Sequence, residues 1–166
     1  MSFTLKLDLS KLLKLTDSQS WTPSAVQAII SELNRKIPTE LMNASNRAFD
    51  KETAPDGTPW QPRSPKYVQE LTKRKQAKRK ILSITSHLRK SRQTFNNGTT
   101  AGIGTNLAYA RIHQLGGQAG RNHRATIPAR PYLGFDKYAH DKIIALTEKL
   151  NPPAGKEDPV RCILVL

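Results

Sequence analysis

The sequence has one cysteine, few aromatic residues and no long apolar run, and each shortage excludes a class of protein. Cys162 stands alone and cannot form an internal disulfide, so no oxidising compartment is implied. No apolar stretch approaches the ~18–20 residues that a membrane-spanning helix needs. Residues 1–8 lack a cationic stretch leading into an apolar run, which predicts that they are not a signal peptide. We expect a protein that folds in the cytoplasm and has no membrane partner.

Acidic residues are also scarce: 13 of them face 27 lysines and arginines, for a net charge of +14. The charges cancel over residues 1–62, which hold seven of each sign. Over residues 63–92, eleven basic side chains stand against the single acid Glu70, for a net +10. Such a segment must contact water, an acidic protein surface or phosphate. Its densest part is the candidate basic surface, which comprises Arg74, Lys75, Lys78, Arg79 and Lys80.

Sequence signatures of catalysis are missing as well. Gly102-x-Gly104 has Leu107 where a dinucleotide-binding motif needs its third glycine, and no Walker or Gly-x-Ser-x-Gly motif occurs. The histidines lack the spacing of a zinc site and are scattered at His87, His113, His123 and His140. We predict no catalytic, metal-binding or cofactor-binding residues. A hydrolase whose carboxylates meet only in the folded chain is a distant alternative.

Apolar periodicity predicts a strand and then a helix in the first third of the chain. Alternating apolar residues over residues 3–9 are typical of a half-buried strand. A helical apolar stripe follows Pro23, which suits the first position of a helix. Pro38 is expected to end or kink this helix, and a second helical stripe continues to Phe49.

The middle of the chain is predicted to be a loop followed by a cationic helix. Residues 51–65 contain a Pro-Asp-Gly turn and further prolines, which predicts a loop anchored by Trp60. The basic segment 63–92 has only a narrow apolar stripe, so part of it is free to be mobile until it binds a partner.

Turn signals divide the remaining residues into short elements. Asn97-Gly98 predicts a hairpin, and residues 107–115 predict a helix that ends at Gly116-Gly117. A polar loop over 118–125 and an extended segment over 127–134 lead to a last helix from Asp136.

These elements predict one α+β domain over residues 1–150, with an antiparallel sheet and hairpin packed against two or three helices. Residues 151–166 form a Pro-rich C-terminal tail. Its apolar end, residues 160–166, could pair with a strand of this chain or of a neighbour.

Four segments, in fixed order, carry a resemblance. They are Phe49 with Pro55-Asp56-Gly57-Thr58-Pro59-Trp60; Ile81-Leu82 with Thr85-x-x-Leu88-Arg89; Gly104-Thr105-Asn106-x-x-Tyr109-Ala110-x-Ile112-His113-Gln114-Leu115-Gly116-Gly117; and Ile127-Pro128-Ala129-Arg130-Pro131-Tyr132-Leu133-Gly134. Over roughly residues 49–150 the chain resembles the phage virion morphogenesis family, the tail-completion proteins of Mu-like phages. Ser86 stands where the family pattern usually has glycine.

The resemblance implies a structural protein of the phage tail or neck, assembled in the host cytoplasm. Such a protein completes or terminates the tail, or joins it to the head, and the resemblance implies no catalytic residues. Rings of identical copies use head-to-tail interfaces that close, and six copies is the number we expect. Other tail or neck proteins are the expected partners, with transient DNA contact for a neck component. The candidate interface residues are Trp60, Tyr109, His113, Arg130 and Tyr132.

Each candidate also has an interpretation within the subunit. Trp60 is either a local anchor or a binding hot spot. Tyr109, Ile112 and Leu115 are spaced as one helix face, which the core could bury. Arg130, presented by an extended Pro-Ala-Arg-Pro segment, could pair with an acid inside the subunit or across an interface.

Nucleic-acid binding is the main alternative function. A segment of net charge +10 could neutralise several phosphates. However, Tyr67 is the single aromatic residue in residues 63–92, so the stacking surface of a single-strand binder is missing. A solvated or protein-facing basic surface is therefore the favoured interpretation.

Overall fold

The fold was analysed in a computed structural model that describes residues 3–9 and 23–150. The elements in chain order are β1 Phe3–Asp8, α1 Pro23–Lys51, α2 Pro65–Lys73, α3 His87–Lys90, β2 Gln93–Asn96, β3 Thr100–Thr105, α4 Ala110–Leu115, β4 Gly117–Ala119, a 3-10 turn Arg121–His123, β5 Ala125–Ile127 and α5 Lys137–Leu150. The predicted single-domain α+β fold is confirmed. The C-terminal tail, including its strand-like end and Cys162, lies outside the described residues.

The main sheet is antiparallel, with the strand order β1-β3-β2. The predicted N-terminal strand and the Asn97-Gly98 hairpin are both confirmed. Gly98 has φ +91°, a conformation that L side chains rarely adopt, and the Asn97 amide donates to the Thr100 carbonyl at 3.0 Å. The central strand β3 buries Ala101 and Ile103.

Helix α1 runs through Pro38, so of the two predicted outcomes, an end or a kink at this proline, the end is wrong. Proline removes the hydrogen bond to the carbonyl four residues earlier, at a cost of ~3 kcal/mol. The apolar stripe continues on both sides of it, and its buried members include Ile30, Leu33, Ile37 and Leu41. Because each fully buried aliphatic side chain contributes ~1.5–3 kcal/mol, packing of this stripe against β3 and α5 outweighs the lost bond.

Phe49, at the end of α1, lies at the centre of an aromatic cluster in the core. Its ring lies 5.6 Å from the Trp60 ring, edge to face, and 5.4 Å from the Tyr132 ring. The Arg92 guanidinium lies 4.9 Å from the centre of the Phe49 ring and donates from Nη2 to the Asn46 side-chain oxygen at 2.7 Å. Burial lowers the pKa of Arg92 to about 10. The core therefore holds a cation on an aromatic face.

Two further predictions need correction. Helix α4 begins at Ala110 rather than at residue 107, because the Leu107 carbonyl first accepts from the Ala110 amide and closes a turn. Of residues 118–125, predicted to be a loop, only residues 120–124 form the connecting loop, and the ends belong to the β4–β5 hairpin, whose pairs run from Gly117↔Ile127 to Ala119↔Ala125. Backbone pairing forms this hairpin without an alternating apolar pattern. None of the helices in the described ranges is long and apolar enough to cross a membrane.

Candidate assembly surface

Two of the five candidate interface residues lie inside the core. Trp60 is 5% exposed, and its Nε1–H donates to the Pro131 carbonyl at 2.8 Å. Tyr132 is fully buried, and that burial raises the pKa of its hydroxyl. Trp60 is therefore the local anchor of its loop, and neither ring reaches the surface of the subunit.

Gln114, in α4, holds the segment that carries Arg130 and Tyr132. Its Oε1 accepts from the backbone amides of Tyr132 and Leu133, each at 3.0 Å, and its Nε2 donates to the Leu133 carbonyl at 2.9 Å. The Arg130 amide donates to the His113 carbonyl at 2.7 Å. A proline-rich segment cannot form a full strand ladder, since proline has no N–H. One side chain of α4 supplies the missing bonds.

Arg130 is a buried cation with no carboxylate partner among the described residues. It is 8% exposed, and it donates from Nε to the Gln61 carbonyl at 3.0 Å and from Nη2 to the Pro62 carbonyl at 3.2 Å. Burial, and then the charge of Arg63, lowers its pKa. The two carbonyls orient the guanidinium but do not neutralise its charge. A carboxylate from outside this part of the chain can therefore form an ion pair with it.

Tyr109 and His113 lie together beside Arg130. The Tyr109 ring is 5.8 Å from the His113 ring, edge to face, and its hydroxyl is 3.4 Å from Nδ1 of His87. Nδ1 of His113 is buried without a hydrogen-bond partner in the described part of the chain. Burial, and then the charge of Arg130, lowers the pKa of His113.

The apolar face of α4 is not a core face. Tyr109 is 40% exposed and Leu115 is 57% exposed, whereas Ala110 is the buried residue of this helix. The interpretation of Tyr109 and Leu115 as core residues is therefore wrong, whereas Ile112 is half-buried. This six-residue helix buries one side only, and the residue that it buries is the small Ala110.

Three of the candidate interface residues, and Arg74 of the candidate basic surface, line one groove of about 850 Å³. We call it the arginine groove and define it by Arg63, Arg74, Leu88, Tyr109, His113 and Arg130. It lies between α2, α4 and the segment that leaves β5. Its lining combines apolar side chains with three arginines, and none of the described residues that line it is Asp or Glu.

The five cations of the candidate basic surface are all exposed. They follow α2, which ends at Lys73, and they lie mostly in irregular turns. Arg79 donates from Nη1 to the Ile84 carbonyl at 3.0 Å, and Lys80 donates from Nζ to the Asp50 carbonyl at 2.6 Å. These bonds fix the two side chains but leave their charges in place.

Sequence reasoning missed three residues of this region. Arg63 donates from Nη2 to the Lys80 carbonyl at 2.6 Å, which ties the groove to the basic surface. Gln114 lies within the third sequence motif, but its spacing gives no sign of the backbone atoms that it binds. His87 meets Tyr109 only in the folded chain. In the described ranges, no group of His, Cys, Asp and Glu side chains gathers as a metal site.

Comparison with known proteins gives one family. The model of the phage virion morphogenesis family matches residues 14–150. The putative capsid assembly protein G of Escherichia phage Mu is 31% identical over 117 residues, which cover 69% of this chain and 75% of that protein. The tail completion protein S of Escherichia phage P2 is 32% identical over 123 residues, 70% of this chain and 78% of that protein.

A third relative covers less of the chain. The Mu-like prophage FluMu G protein 2 of Haemophilus influenzae is 49% identical over 49 residues, which are 30% of this chain and 36% of that protein. The match therefore spans about a third of that relative's length. No solved structure matches the chain.

Proposed function

This chain belongs to the phage virion morphogenesis family, and from that membership we propose that it completes or terminates the phage tail, or joins tail to head, as a ring of identical copies. The proposal places the protein in the tail or neck of the virion, with other tail proteins as partners and no catalytic step of its own. The names of its relatives, a tail completion protein and a putative capsid assembly protein, support a role in building the particle.

The observation that carries the proposal is the exposed face of α4. Tyr109, just before α4, and Leu115, at its end, are exposed, and both lie within the sequence motif that most resembles the family. Tyr109 also lines the groove that contains Arg130. Aromatic residues and arginine are enriched where protein interfaces are buried, and apolar groups of this size are rarely left exposed in a cluster without a partner. The surface is therefore suited to a protein partner.

Edge strands offer a second contact between copies. In the sheet order β1-β3-β2, β1 and β2 are the outer strands of the sheet in the described residues. An outer strand has backbone groups that a neighbouring chain can pair with. Two different surfaces, one on α4 and one at a sheet edge, allow the head-to-tail contact from which a closed ring is built.

Light scattering at moderate salt, after nuclease treatment, tests self-assembly. We expect a discrete multimer for the wild type, and we expect Leu115→Asp to shift it towards monomer because the substitution places a charge in the apolar interface. Tyr138→Asp is the matched control, since Tyr138 is 54% exposed on α5 and does not line the groove. Circular dichroism verifies that both variants fold. A wild-type monomer, or equal dissociation of both variants, contradicts the proposed interface.

DNA binding is the second candidate function, and the exposed basic surface favours it. Reversing four of its charges to Glu should abolish DNA binding at low salt if the surface contacts phosphate; these are Arg74, Lys75, Arg79 and Lys80. A control with the same change in net charge reverses four exposed cations elsewhere: Arg111, Arg121, Arg124 and Lys137. Equal loss in both variants indicates a general charge effect, and unchanged binding removes this candidate. Titrations at several salt concentrations count the phosphates contacted.

A further inference from the structure

The arginine groove contains positive charge that the described part of the chain does not neutralise. Arg63 and Arg130 are held by backbone carbonyls, and Arg74 alone of the three arginines pairs with an acid, Glu70. Glu70 itself lies outside the lining of the groove. Two guanidinium groups thus converge on an 850 Å³ groove with no carboxylate to accept from them there.

Seven other carboxylates have partners within the chain. Glu32, Glu40, Asp50 and Asp136 form ion pairs within the chain, with Arg35, Lys142, Arg89 and Arg47 respectively. Asp56 accepts from the Thr58 amide, Glu52 from the Ile81 amide, and Asp141 lies beside His140. None of these seven carboxylates lines the groove.

The C-terminal tail contains the acids that the groove lacks. Glu157-Asp158 is the one place in the sequence where two acidic residues are adjacent. The apolar residues Ile163, Leu164, Val165 and Leu166 follow within a few positions. Lys156 and Arg161 flank this acidic pair, so recognition depends on close pairing with arginine rather than on long-range attraction.

We propose that the arginine groove is the docking site for residues 157–166 of a neighbouring copy of this chain. Glu157 and Asp158 accept from Arg63 and Arg130, and the apolar end of the tail covers the apolar side chains of the groove. This inference rests on the proposed self-assembly, to which it adds a specific contact. Carboxylate and guanidinium form strong, oriented hydrogen bonds when partly buried, which suits recognition of a short segment.

The shape of the site favours a peptide over DNA. The groove has buried Leu71 and Leu88, and half-buried Ile81 and Leu82, among its lining residues. An apolar lining gains nothing from a phosphate backbone, but it gains from burial of aliphatic side chains. Tyr67 and Tyr109, both about two-fifths exposed, complete the rim of a site for mixed acidic and apolar residues.

Cys162 makes the proposal testable in the full-length protein, because it is the sole cysteine and lies four residues after Asp158. The variant Thr126→Cys adds a second thiol on an exposed residue that lines the groove. Four extended residues span ~14 Å, so docking brings the two thiols within reach of each other. Thr94→Cys is the matched control, an exposed strand residue outside the groove. Oxidised glutathione is the oxidant, and non-reducing gels separate disulfides between chains from those within one chain.

We expect Thr126→Cys to form interchain disulfides at least about tenfold faster than Thr94→Cys, because docking raises the local thiol concentration. Adding Glu157→Lys and Asp158→Lys should abolish that difference. Equal rates for the two cysteine variants, or a difference that survives the charge reversal, would overturn the proposal. A fast disulfide within one chain would show that the tail docks on its own subunit, and would overturn the proposed docking on a neighbouring copy.

The light-scattering mass separates this inference from the function on which it rests. If the protein is a multimer but its two cysteine variants react equally fast, self-assembly stands and the tail contact is refuted. A monomer with a fast intrachain disulfide contradicts self-assembly and the exchange between copies alike. The proposal would also be overturned if no fast disulfide forms and duplex DNA protects the thiol of Thr126→Cys from maleimide. That result would assign the groove to nucleic acid.

Discussion

Replacing Gln114 by leucine should destabilise the chain by several kcal/mol. The substitution keeps the approximate size of the side chain and removes three hydrogen bonds, two to backbone amides and one to a carbonyl. Each bond contributes ~0.5–1.5 kcal/mol, and leucine leaves the backbone partners unsatisfied, so we expect a loss of ~2–4 kcal/mol in the free energy of unfolding. For a chain of this size that loss lowers the Tm by ~5–15 °C.

Urea denaturation followed by far-UV circular dichroism measures this loss. Gln118→Leu is the matched control, because Gln118 is an exposed glutamine in β4 and should change stability by less than ~0.5 kcal/mol. Gln114→Glu keeps the acceptor for the amides of Tyr132 and Leu133 but loses the donor to the Leu133 carbonyl, so it should fall between the wild type and Gln114→Leu. If Gln114→Leu is as stable as the control, the Gln114 side chain does not hold the segment that carries Arg130 in place beside the groove.

Two further predictions concern a turn and an ion pair. Ser86→Gly should raise the free energy of unfolding by up to ~1 kcal/mol, because Ser86 has φ 56°, which glycine adopts without strain; a loss of stability in urea denaturation would refute this. The Arg47 guanidinium, 2.5 Å away, holds the pKa of the Asp136 carboxyl below its ordinary value. The resulting stability is therefore present above that ordinary pKa and is lost as the pH falls through the folded-state pKa. Asp136→Asn should therefore reduce the loss of stability as the pH is lowered, whereas Asp141→Asn, at an exposed position in α5, should not.

The elements with strong local signals could be predicted from the sequence. The alternation over residues 3–9 predicts β1, Asn97-Gly98 predicts the hairpin, and the stripes of α1 and α5 predict both long helices. In each case a period or a turn residue restricts the backbone directly. The order of these elements is enough to give the α+β class.

The rest depended on contacts between residues distant in sequence. Pro38 is tolerated because the stripe on both sides of it packs against other elements, which no local rule for proline takes into account. The spacing of Tyr109 and Leu115 matches a core face, but the side of α4 that the core covers is decided by where the chain runs before and after it. Arg130 has carbonyl partners nearly seventy positions away, and a sequence does not mark carbonyls as ligands.

The strand order also determines when β1 can join the sheet during synthesis of the chain. Strand β1 is made first, yet its partner β3 begins at Thr100, more than ninety residues after Asp8. At ~5–20 residues per second, β1 therefore leaves the ribosome at least ~5 s before any strand exists for it to pair with. The hairpin of β2 and β3 can form as soon as it emerges, since its two strands are close in sequence. Strand β1 is thus the last of the three strands to join the sheet, and until it does, the β3 edge is open to the β1 strand of another nascent copy.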